Sequence, residues 1–238
     1  MSKADEFRAL HNGDRLLLLA NVWDAGGARI VEQSGYPAVA TSSAAVALSH
    51  GYEDHEQMPA DVAFAAVAEI ARAVDVPVTA DMESGYRLAP AEFAARLLDA
   101  GAVGCNYEDS DHAAPGSLLD AEFHAERIAV LAEAGVVVNA RVDTFVVQRE
   151  DAFDEGVRRA RLYREAGAAC VYPIVLGDEA LIESFVAAVD APVNILLRHG
   201  APSVGRLRQL GVRRASVGSG FYRVAMQAFA AEVEALKA

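Results

Sequence analysis

Short apolar runs, each closed by a polar tip and followed by an Ala-rich stretch with helical spacing, recur along the whole chain. The runs at 16–22, 38–43, 76–83, 103–108, 136–143, 170–175, 192–198 and 214–219 predict strands. The stretches 24–34, 60–73, 90–100, 119–134, 150–166, 178–189, 203–210 and 221–237 predict helices. Gly35, Gly101, Gly135, Gly167 and Gly211 stand where most of those helices must stop, and Pro90 and Pro202 near where two begin. Strands that are apolar on both faces and alternate with helices run parallel, joined by right-handed crossovers. Eight such units close into an α/β fold of the (β/α)8 TIM-barrel class. A doubly wound open sheet is the rival, but no Gly-x-Gly-x-x-Gly follows the first strand. No linker or shift of composition interrupts residues 1–238, so a single barrel domain is expected.

A hydrophobic content of 53% with 23% charged residues belongs to a well-packed globule. The net charge of −13 argues against nucleic acid as a partner. The arginines at 158–164 read as a solvated helix face. The polar N-terminus lacks a signal-like apolar core, and no run is long enough to span a membrane, so a cytoplasmic location without membrane contact is expected. Cys105 and Cys170 lie inside apolar runs and read as buried thiols, not a disulfide.

A barrel gathers the polar tips at one end. In order they are Asn21, Trp23 and Asp24; Thr41, Ser42 and Ser43; Asp81 and Glu83; Glu108 and Asp109; Arg141 and Asp143; Tyr172; Arg198 and His199; and Ser219. The segment TADMESGY at 79–86 is the most telling, because period-two geometry puts Asp81 and Glu83 on one side of a strand. Two such acids repel unless a cation lies between them. With Glu108 they form a hard oxygen set suited to Mg²⁺, with Mn²⁺ as the substitute, held partly through water. Zinc is disfavoured, since no cluster of His or Cys is visible in the sequence. Ser42, Ser43 and the Ala44 amide suit a substrate carboxylate, Arg141 clamps one or balances the acids, and Trp23 stands among the residues expected to touch substrate. Mg²⁺ beside a carboxylate pocket suits a small 2-oxo acid whose enolate the metal stabilises, which supports C–C cleavage, decarboxylation or transfer. Asp24 reads equally as a helix cap, Asp143 as a partner of Arg141, and Asn106 and Tyr107 as barrel filling.

Two loops look functional. Residues 44–60 are long for such a connection, and a gate that brings Asp54 inward explains their length better than a metal site at His50 and His55, whose spacing fits no regular face. The second, 110–120, carries His112, the one group there suited to acid catalysis near neutral pH.

With these residues in view, the chain resembles the isocitrate lyase / phosphoenolpyruvate mutase superfamily. The likeness rests on NVWDAGGARI from 21, TSSAA at 41–45, HGYEDHE at 50–56, TADMESGY at 79–86, NYED at 106–109, NARVDTF at 139–145 and VGSG from 217. It implies an enzyme that acts through an enolate-type intermediate, with Asp81 as principal Mg²⁺ ligand and Glu83 and Glu108 on ion-bound waters. It also implies Arg141 on the substrate and Asp54 in a gating segment, so Asp54, Arg141 and Glu108 are the expected catalytic residues. The likeness further implies a homo-oligomer, dimer or tetramer, in which the last helix is exchanged between subunits. The chain departs from the family's specialised members. After the fourth strand it has SDHAAPGS where isocitrate and methylisocitrate lyases carry Lys-x-Cys-Gly-His and the mutases carry Lys with Asn-Ser. After the sixth it has Tyr172-Pro173-Ile174 where the mutases carry His-Ser. The expected activity is therefore a Mg²⁺-dependent lyase or decarboxylase on a small 2-oxo or 2-hydroxy (di)carboxylic acid. The alternatives are a phosphonopyruvate-type mutase or hydrolase, a metal-free phosphate-handling enzyme using Val217-Gly218-Ser219-Gly220, and a binding protein without turnover.

Overall fold

The computed structural model describes residues 1–237. Its strands are β1 (Leu17–Leu19), β2 (Asn21–Val22), β3 (Val39–Thr41), β4 (Val78–Asp81), β5 (Gly104–Glu108), β6 (Val137–Val142), β7 (Cys170–Pro173), β8 (Asn194–Leu196) and β9 (Arg214–Ser216). All pair in parallel, in the orders β1-β9-β8 and β2-β3-β4-β5-β6-β7. A parallel bridge between Val171 and Val193 joins β7 to β8. β1 and β2 are one stave interrupted at Ala20, whose carbonyl turns to the Ala40 amide at 3.3 Å. The ring thus closes as a (β/α)8 barrel.

The helices are α1 (Lys3–His11), α2 (Ala25–Gln33), α3 (Ser43–Ser49), α4 (Ala60–Arg72), α5 (Pro90–Asp99), α6 (Ala121–Glu133), α7 (Ala152–Glu165), α8 (Glu179–Val189), α9 (Val204–Gln209) and α10 (Gly220–Ala235). Ser2, Asp24, Ser42, Asp120, Asp178 and Ser203 cap six of them by accepting a first-turn amide, each worth about 1 kcal/mol. Two helices go beyond the sequence pattern. α1 has too little apolar content to announce itself, and α3 occupies the first half of what reads as the 44–60 loop, because Ser42 caps an Ala-rich turn. Among the described residues no helix is long and apolar enough to cross a membrane.

Two apolar layers and one polar layer position the site. Outside the staves, Val138, Ala140, Ile128, Phe185 and their neighbours pack sheet to helices. Inside, the lower barrel is filled by Leu17, Leu19, Ala38, Ala40 and Val137, with Phe7 of α1 inserted as a plug. Gly104 makes room for it, since a Cβ there would stand 3.0 Å from the Phe7 ring and 2.6 Å from the Val137 carbonyl. Above lies a buried polar layer of Asn106, Asn139, Asn194, Arg214 and Ser216. It forms the floor of the site.

Candidate active site

Register decides which tips meet. Asp81 pairs with Asn106, which pairs with Asn139; one row higher, Glu108 pairs with Arg141, which pairs with Tyr172. Because parallel neighbours share facing, each row turns into the barrel together. Asp81 Oδ1 accepts from Asn106 Nδ2 at 3.0 Å, and Oδ2 accepts from the amide and hydroxyl of Ser43 at 3.0 and 2.8 Å. The Asn106 carbonyl in turn accepts from Asn139 at 2.8 Å and from Arg214 at 3.3 Å. Two donors on its oxygen fix the amide's orientation, so its NH₂ must face Asp81. Arg214 is held from below by His11, whose ring lies 2.9 Å from the Phe7 carbonyl through Nδ1 and 3.2 Å from Arg214 through Nε2. Since arginine only donates, His11 carries its proton on Nδ1.

Glu83 corrects the strand-period expectation. β4 ends at Asp81, and Glu83 sits beyond it in a left-handed turn with φ 51°. The turn is completed by Gly85, where φ is +95° and a Cβ would fall 2.7 Å from the Tyr107 ring. Glu83 accepts from the Glu56 amide at 2.7 Å and from Tyr86 Oη at 3.2 Å. Burial, then the charges of Glu108, Asp54 and Asp81, push its carboxyl up to about 8. Glu108 is raised to about 7 by burial, against the pull of Arg141 and with Asp143 adding to the rise. It is ion-paired to Arg141 and lies 2.9 Å from His112 Nε2. Those contacts hold His112 above its ordinary value, outweighing its burial. Arg141 is gripped by both oxygens of Asp143 at 2.7 Å.

Asp81, Glu83 and Glu108 do not bring three oxygens within 4.8 Å of one another; among the described residues the cluster that meets this spacing is His55, Glu83 and His112. Each carboxylate has instead turned to its own donors. The set still suits Mg²⁺: its ligands are oxygens, buried like charges raise Glu83 and Glu108, and Asp54 Oδ1 is buried with no partner. An ion that keeps most of its waters can be held directly by Asp81 and through water by the others.

A cavity of about 190 Å³ opens beside Asp81. Ser42, Ser43, Ala44, Asp54, Asp81 and Arg141 line it, together with Asn21, Tyr172, Arg198, Ser219 and Arg223. Glu83 and Glu108 are buried and do not line it, and Trp23 packs edge-on against Tyr222 of α10 at 5.2 Å. Ser42 caps α3 and Ser43 is engaged with Asp81, which leaves the Ala44 edge facing the cavity. Asp24 caps α2, its Oδ1 2.6 Å from the Gly27 amide. His199 is exposed. Val217 and Gly218 do not form an open phosphate cradle, because their amides donate to Asn21 Oδ1 at 2.8 and 3.0 Å.

Sequence reasoning missed Arg223 and Arg214. The first stands in the opening turn of α10, and the second is an arginine inside an apolar strand, a signal that invites the question of what it supports. It also misread Arg159, which is not a solvated residue but is buried against Asp109.

A family profile described as phosphoenolpyruvate phosphomutase matches residues 7–237. A solved Burkholderia cenocepacia protein, named only provisionally as a phosphonomutase, is 40% identical, with a TM-score of 0.91 over 98% of this chain and 99% of that one. An uncharacterized protein of Mycobacterium tuberculosis is 30% identical over 94% of this chain and 86% of its own length. A phosphonopyruvate hydrolase solved with oxalate and Mg²⁺ has a TM-score of 0.90 at 22% identity, covering 100% of this chain and 87% of that one, and so speaks for the fold.

Proposed function

Because the chain belongs to the phosphoenolpyruvate phosphomutase family, within the isocitrate lyase / phosphoenolpyruvate mutase superfamily of lyases, mutases and hydrolases, we propose that it is a Mg²⁺-dependent lyase or decarboxylase. Its substrate is a small 2-oxo or 2-hydroxy dicarboxylic acid. The observation that carries this reading is the lining of the cavity: two acids, Asp81 and Asp54, and three guanidinium groups, Arg141, Arg198 and Arg223, share a space of about 190 Å³. That volume is below the roughly 300 Å³ of sites for larger ligands. One carboxylate of a diacid lies toward the cation, and the other meets arginine.

When bound, Mg²⁺ supplies Lewis-acid stabilisation of negative charge on an enolate oxygen. The chain's own residues do the rest. Asp81, pre-aimed by Ser43 and Asn106, would hold the ion directly, and Glu83 and Glu108 would hold it through water. Arg141, immobilised by Asp143, holds a substrate carboxylate without swinging away. Asp54, on the segment 50–59 between α3 and α4, lines the cavity, has one buried oxygen without a partner, and is the group to accept or return a proton at the substrate.

α10 supports a homo-oligomer. None of its residues is buried, although it carries Phe221, Val224, Met226, Phe229 and Val233 on its surface, followed by an exposed Leu236 at its C-cap. A lone exposed helix of this length is marginal in water, so a second copy of the chain is the partner that covers it. Sedimentation that shows only monomer removes this part of the reading.

Turnover measured on a panel of small 2-oxo and 2-hydroxy diacids, with Mg²⁺ and with chelator, tests the activity. Metal-dependent release of a shorter 2-oxo acid or CO₂ is expected. Metal-independent turnover, or conversion of phosphonates alone, overturns it.

A further inference from the structure

His55, Glu83 and His112 each offer a ligand atom, and all three atoms lie within 4.8 Å of one another. No step of the proposed reaction uses His55. It lies on the 50–59 segment with φ 66°, while His112 lies on the β5–α6 connection and Glu83 at the turn after β4. The two imidazole rings are 5.7 Å apart between centroids. His112 Nε2 is 3.8 Å from Glu83 Oε2.

The surroundings are short of positive charge. Glu56 anchors the turn after β4 through one oxygen, which accepts from Ser84 and the Tyr86 amide at 2.7 Å each, but its Oε2 is buried with no partner. Glu108 adds another carboxylate beside His112. Arg141 is already shared between Glu108 and Asp143.

Two nitrogens and a carboxylate with a position left open form a donor set for a first-row transition ion, and the four-coordinate preference of Zn²⁺ suits it best. Tetrahedral ligands at the usual zinc distances stand about 3.3 Å apart. The three groups must therefore draw together somewhat, which is feasible because two of them ride on connecting segments while Glu83 is anchored. We propose that His55, Glu83 and His112 form a second cation site, for Zn²⁺ or a similar first-row ion, which ties the 50–59 segment and the β5–α6 connection to the tip of β4 beside the cavity. The two readings share Glu83, but the nitrogen ligands His55 and His112 take no part in the Mg²⁺ one, and uptake of a first-row ion that depends on them tests this site separately.

The experiment uses the full chain with Asp81→Asn, which removes the oxygen-ligand site, in excess Mg²⁺. Co²⁺ is then titrated as a spectroscopic stand-in for Zn²⁺. One Co²⁺ per chain is expected, with the intense visible bands of low-coordinate, nitrogen-containing ligation. His55→Ala and His112→Ala are each expected to weaken uptake by more than the roughly 10–100-fold that loss of a supporting contact costs. His55 is exposed, so its variant should keep the far-ultraviolet dichroism of the parent. As a second readout, Zn²⁺ should slow proteolysis within 50–59 in the parent and not in His55→Ala. Absence of stoichiometric Co²⁺ binding, or binding undiminished in His55→Ala, overturns the proposal. Inactivity of the unsubstituted chain toward every diacid, with Co²⁺ binding intact in the variant, would instead count against the lyase reading alone.

Discussion

Glu108 and Asp109 are adjacent at the end of β5, both buried, yet the barrel wall separates them. Asp109 turns outward and is saturated: it accepts from the Asp143 amide at 2.8 Å, from Tyr163 at 2.8 Å and from Arg159 at 3.0 Å. Glu108 turns inward among Asp81, Glu83 and Asp143, with one shared guanidinium and one imidazole. Burial lifts both carboxyls, to about 6 for Asp109 and about 7 for Glu108. Asp109 has its donors built into the fold, whereas the inward acids share few donors among several carboxylates. The outer network is satisfied in a way that suits structure, and the inner one has the crowded, perturbed carboxylates that the proposed chemistry needs.

The largest expected effect lies inside. Asp81→Ala should lower Mg²⁺-dependent turnover by more than about 10³-fold while leaving the urea midpoint near that of the parent. Unchanged turnover would dissolve the distinction. Outside, Asp109→Ala strands three donors, including the buried Arg159, and should cost about 3–5 kcal/mol of stability by urea unfolding. A midpoint that does not move would mean the outer network is ornamental.

A smaller effect tests the floor that joins the two regions. Arg214→Met removes a donor that fixes the Asn106 amide, and kcat should fall about 10-fold with KM little changed. A loss confined to KM would show that Arg214 does not act through Asp81.

The smallest effect is a slope. His124 is fully buried, stacked on Tyr107 at 5.0 Å and edge-on to Tyr163 at 5.1 Å. Burial, helped by the charge of Arg127, pushes its imidazole down to about 3. An unfolded chain protonates this residue near 6.5, so between about 6.5 and 3 the unfolded state binds more protons. Stability is therefore complete above that window and is lost as pH falls through it, by up to about 1.4 kcal/mol per pH unit. His124→Phe should flatten that part of the acid-unfolding profile. His11, also pushed down to about 3 by burial and by Arg214, remains as a second source of the slope.

The barrel was legible because strand and helix periods are local properties, and parallel order follows once strands and helices alternate. Asp81 was legible because a carboxylate closing an apolar strand is a local anomaly. Glu83 was recognised as a residue but not in its placing, since a turn with Glu83 and Gly85 in the left-handed region replaces the strand period. The Gly-rich run from Val217 looked like a phosphate cradle because nothing local reveals that Asn21, at the other end of the chain, fills it.

The sequence by itself determined the alternation of elements, the caps, and the set of acids and arginines at the strand tips, all of which depend on neighbours within a few residues. Only the tertiary structure decided that His55 lies beside His112, that Arg214 lies beneath Asn106, and that Arg159 is buried against Asp109. Those meetings depend on barrel closure and parallel register, which join residues distant in sequence, and no local spacing encodes a distance across the ring.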